Sequence, residues 1–171
     1  MVIMFDYLRG LIKENILKWD VLDIYVISLF VYDEDDDPNF PTVVLGYNTV
    51  SNYIENIEFA SDEIEAKWNF AFWLQNEEMV FGTGKTRPIV EKWLEENNLV
   101  DKDEKITETF INVLVNVVEE LHQSGFINAK FGQEIPIIIH ELEYYDEIAK
   151  QNIKANGYEL VGEFVEFCTN F

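Results

Sequence analysis

The run Asp33, Glu34, Asp35, Asp36, Asp37, Pro38 stands between two apolar segments, 22–32 and 41–47, rich in β-branched and aromatic residues. Five adjacent carboxylates and a proline without an N–H cannot continue a sheet interior, so the run reads as an exposed loop between two strands. If that loop closes a hairpin, the strands pair antiparallel and seed a sheet.

Around this seed, helical periodicity predicts five helices. Residues 3–18 place Phe5, Leu8, Ile12 and Ile16 on one stripe, with Trp19 just beyond. Ser61, Asp62 and Glu63 open the second with a capping side chain and carboxylates at the positive end of the dipole. Its inward face reads as Ile64, Trp68, Ala71 and Phe72. Thr86 or Arg87 caps the third, Pro88 fits its first turn, and Ile89, Val90, Trp93 and Leu94 face inward. The most regular helix covers 104–123 through Ile106, Phe110, Leu114, Val117 and Leu121, and stops at Ser124 and Gly125. Residues 144–155 form the fifth. Residues 48–56 are ambiguous, with a short helix as one option, and 158–171 do not decide between strand and helix. A third strand spans 135–139, with Pro136 near its beginning. The expected fold is α+β: one domain over 1–171, a small mixed or antiparallel sheet packed by about five helices. The size agrees, since 171 residues, 48% of them hydrophobic, can bury roughly 70% of the surface of the unfolded chain.

Charge narrows the partners. The chain has 33 acidic and 12 basic residues, a net charge of −21. No Lys or Arg occurs from Trp19 to Ala66, whereas residues 33–37, Asp20, Asp23, Glu55, Glu58, Asp62, Glu63 and Glu65 all fall there. Such a field repels nucleic acid and anionic membranes and attracts basic protein surfaces. The candidate partner-binding residues are therefore Asp33, Glu34, Asp35, Asp36 and Asp37, with Glu55, Glu58, Asp62 and Glu63 as neighbours. One cysteine, Cys168, makes no intrachain disulfide, and the opening residues lack the pattern of a signal peptide. The longest apolar run, 24–32, is far short of the ~20 residues of a membrane span. The expected location is the cytoplasm.

Motifs for chemistry fail at named positions. Gly82 to Thr86 suggests a phosphate-binding loop, but Met79 occupies the first glycine position. A calcium loop starting at Asp33 would need Gly and Glu where Pro38 and Val44 stand; starting at Asp35, it meets Phe40 and Gly46. His140 and Glu141 begin a zinc-helix pattern whose second histidine is Tyr144. Cys168 has no basic residue after Lys154 to lower its pKa, and no serine sits in a nucleophile elbow. No cofactor is expected. Trp68, Phe70, Phe72 and Trp73 would make a helix aromatic all round, hence deeply buried or in contact with a partner.

Residues 25–33, then Asn48 and Thr49, the pair Trp68 and Trp73, the helix end at 121–126 and the strand 135–139 together resemble the bacterial DUF4303 family. The resemblance covers most of the chain in order. It implies a compact bacterial domain of the kind found among toxin-immunity and accessory genes, and it brings no catalytic residue. The leading expectation is a non-enzymatic, immunity-type inhibitor that covers a basic protein. One alternative is a metal-assisted enzyme using His140, Glu141, Glu143 and Asp146. The other is a structural subunit that oligomerises through a Phe70 and Trp73 face.

Overall fold

The computed structural model describes residues 4–169; Ile3 of the first expected helix and residues 170–171 of the undecided C-terminal stretch lie outside them. Helix α1 (Met4–Lys18) covers Leu8, Ile12 and Ile16 of its expected stripe fully, whereas Phe5 is half-buried. The chain then enters β1 (Ile24–Asp33), turns back through the acidic run, and returns as β2 (Pro41–Thr49). The two strands pair antiparallel from Ile24 opposite Thr49 to Asp33 opposite Pro41. Asp35 and Asp36 both have positive φ, 59° and 56°, and Asp37 N–H donates to the Glu34 carbonyl at 3.1 Å. Positive φ at both central residues is the pattern of a type I′ turn, here set inside the seven-residue connection 34–40, and aspartate tolerates that conformation better than most residues.

A third strand, β3 (Met79–Phe81), pairs antiparallel with β2, and a fourth, β4 (Ile137–His140), pairs parallel with β1. The order β3-β2-β1-β4 therefore makes the sheet mixed. Pro136 lacks a donor but still gives its carbonyl to Ile27 N–H at 2.9 Å, so a proline at the strand entrance costs the ladder little.

Period-two alternation splits the strand side chains between two cores. Ile27, Leu29, Val31, Val43, Leu45, Phe81, Ile137 and Ile139 pack under α1, α4 (Arg87–Glu96) and α5 (Asp103–Gln123). On the opposite face, Val26 and Ile138 join Trp68, Trp73, Ile148, Val161 and Phe164, beneath α3 (Glu63–Trp68), α7 (Asp146–Asn156) and α8 (Tyr158–Thr169). The second core covers only part of its face.

Eight helices are present among the described residues, against about five expected. The additional three are α2 (Val50–Asn56), capped by the Thr49 side chain; α6 (Phe126–Phe131), which restarts directly after Gly125; and α8, which settles the undecided C-terminal stretch. The short strand β3 occupies what read as a plain break. The aromatic helix is the main correction. It ends at Trp68, because Asn69 turns extended and its side chain accepts from Ala71 N–H at 3.0 Å, starting a separate 3-10 turn over Phe70–Phe72. Trp68 and Trp73 are buried, Phe72 is half-buried, and Ile64 and Ala71 face solvent, which reverses part of the expected inward face.

Candidate functional site

The parallel strands β1 and β4 end on the same side of the sheet, β1 at Asp33 and β4 at His140, and the acid-rich turn starts there. The turn is held from within. Glu34 N–H donates to the Phe40 carbonyl at 3.0 Å, and Asp37 accepts from the Asn39 backbone and side chain at 3.0 and 3.1 Å, which lowers the Asp37 pKa. Asn39 also accepts from Asp101 N–H at 2.9 Å, tying the tip to the loop before α5. Arg87 lies 3.7 Å from the centre of the Phe40 ring and 3.6 Å from Asp35.

Beside the turn, Asp33 joins Glu104 and Glu108 of α5, Glu141 beyond β4 and Glu147 of α7 around a groove of about 740 Å³. Those five carboxylates face two cations, Lys150 and Lys154, and Lys150 is already 3.5 Å from Glu147. Partial burial, then repulsion from Glu141, Asp37, Asp103 and Asp36, raises the Asp33 carboxyl above the usual carboxylate range. Ile111 and Val115 give the groove an apolar strip between its acids. An arrangement of this kind accommodates long cationic side chains, stem on the strip and head among the carboxylates.

Glu55, Glu58, Asp62 and Glu63 do not join this surface. They follow β2 at its far end, eight residue steps or ~27 Å of strand from the turn. Asp62 is committed locally, capping α3 by accepting from Glu65 N–H at 2.8 Å. Glu104, Glu108 and Glu147 were not among the expected contact residues. Only the β1 to β4 pairing and the placement of α5 and α7 bring them to Asp33, and no local pattern announces that.

His140 is fully buried, with Phe30, Phe70, Trp73 and Tyr144 ringed around it. Its Nδ1 lies 2.9 Å from the Glu141 carbonyl, which can only accept, so Nδ1 carries the proton. Nε2 is therefore the acceptor for the Ser28 hydroxyl at 2.8 Å. Both ring nitrogens are engaged, and among the described residues no three His, Cys, Asp or Glu side chains converge to hold a metal ion. The pair has the outline of a base and a nucleophile, but desolvation lowers the His140 pKa to about 4. A base that weak is poorly matched to proton abstraction at neutral pH. Burial also pushes the Cys168 thiol up to about 12. In the sequence Ser28 is marked only as a lone small hydroxyl in an otherwise apolar and aromatic strand.

Trp73 belongs to the second core and Phe70 packs against it, so neither is carried on an outward helix face. Compared with family models, curated proteins and solved structures, the chain matches none. The site therefore has to be interpreted from its own geometry. Among the described residues no helix is long and apolar enough to cross a membrane.

Proposed function

We propose that this chain is a non-enzymatic binding protein whose acidic hairpin tip and adjoining groove cover a basic protein surface, in the manner of an immunity-type inhibitor. The observation that carries the reading is Asp33. Its ionised form is disfavoured by burial and by four neighbouring carboxylates, with only two lysines on the groove wall. Groups held in mutual repulsion gain when a cationic surface docks, and the same field accelerates the encounter. Nucleic acid and anionic membranes would meet that field with the wrong sign. The lone cysteine fits a cytoplasmic setting, and the DUF4303 resemblance fits a binding role. The test is capture from the native host at about 50 mM salt, followed by titration of the purified retained protein at rising salt. A basic partner released progressively by salt is expected. Retention of no basic protein at any salt contradicts the proposal.

A further inference from the structure

On the second face of the sheet, beyond the reach of α7 and α8, lies a pocket of about 400 Å³ that the docking reading leaves unexplained. Its size is that of a site for a small group. Tyr32, Phe30 and Phe70 stack in turn along its wall, with ring centres 5.6 and 5.1 Å apart and planes within 29° and 23° of parallel, so their faces lie largely against one another. Trp73 closes the inner end, edge-on to Phe70. Ser28 lines the pocket, and its hydroxyl proton is committed to His140 Nε2, so the oxygen has only lone pairs to offer. Glu77 stands in the lining, no lysine or arginine does, and burial followed by Glu34 and Glu77 raises the Tyr32 phenol pKa. Three features select one kind of occupant. The serine accepts, the mouth is anionic, and the aromatic stack gives the pocket an apolar side. A planar group with several N–H donors satisfies all three, and a guanidinium, more weakly hydrated than an ammonium, enters such a pocket more readily.

We infer that this pocket accepts a guanidinium group, an arginine side chain of the basic partner, lying beside the stack of Tyr32, Phe30 and Phe70 and donating to Ser28 Oγ. The source of the arginine rests on the docking reading; the chemistry rests on the pocket alone. Tyr32 and Asp33 are consecutive in β1 and point to opposite faces, so pocket and groove flank the hairpin tip. A partner that clasps the tip reaches both.

The probe is N-acetyl-arginine amide, titrated into the whole protein while the indole signal of Trp73 is followed by NMR, with N-acetyl-citrulline amide as the uncharged counterpart. Saturable binding of the arginine probe is expected, at least ~10-fold tighter than citrulline, with Ser28→Ala and Glu77→Gln each weakening it by ~3–10-fold. Tyr32→Leu, at the half-exposed mouth, serves if Ser28→Ala fails to fold, and it should weaken the probe similarly. Equal binding of citrulline, no response at Trp73, or no loss in the folded variants overturns the inference. If the probe fails while the salt-sensitive partner is still captured, the pocket assignment falls and the docking reading stands. If the probe binds and no basic partner exists, the guanidinium pocket stands and the partner as its source falls.

Discussion

At the scale of single residues, burial moves the His140 and Asp33 pKa values in opposite directions. Desolvation lowers His140 from the ordinary 6.5 to about 4, with the Tyr144 ring packed at a steep angle against it. Between those values the unfolded chain binds a proton that the folded chain refuses. Stability from this group is therefore complete above pH 6.5, falls as the pH drops toward about 4, and falls no further below that. The interval corresponds to roughly 3 kcal/mol at about 1.36 kcal/mol per unit. Urea unfolding of His140→Gln should show a flatter stability profile through that window than the native chain, at a cost near neutral pH because Ser28 loses its fitted partner. Asp33 behaves the other way. Its folded pKa is raised, so the folded state holds its proton longer and the ionised carboxyl destabilises the fold near neutral pH. Asp33→Asn should raise the melting temperature near pH 7, and the gain should shrink as the pH approaches the unfolded carboxylate value of about 4.

Among the elements, those carried by local patterning were readable and those made by tertiary pairing were not. The stripe of α1, the regular spacing of α5 and the hairpin all follow from side chains within a few residues of each other. Three-residue β3 has no periodicity of its own and exists because β2 offers it an open edge. The aromatic helix misled because apolar spacing hid Asn69, whose side chain takes the backbone donor that a continuing helix would have used. Gly46 shows how such an element is positioned. A Cβ there would lie 2.5 Å from the Asn76 carbonyl oxygen and 2.6 Å from its side-chain oxygen, so the segment carrying Gln75 and Glu77 crosses directly over the strand. Asn76 also accepts from Tyr47 N–H at 2.9 Å, fixing that crossing. Gly46→Ala should destabilise the protein by ~1–3 kcal/mol through overpacking and should loosen the pocket wall, seen as altered Trp73 fluorescence in the folded protein.

For the whole molecule, charge distribution matters more than its total. The net −21 was visible from composition, and the turn at residues 33–37 was visible as its sharpest concentration. The groove was not, because Glu104, Glu108, Glu141 and Glu147 reach Asp33 through contacts that span most of the chain. The distant acids at Glu55, Glu58 and Glu63 supply an internal control of similar charge on another surface. The decisive measurement is the affinity of the captured basic partner for two folded triple variants, Asp33→Asn/Glu104→Gln/Glu141→Gln and Glu55→Gln/Glu58→Gln/Glu63→Gln, at about 50 mM salt. Docking through the groove predicts at least ~10-fold weaker binding for the groove variant, by lost charge complementarity, and little change for the distant one. Equal weakening of both, or none in either, would mean that binding answers to bulk charge or to another surface, and would contradict it.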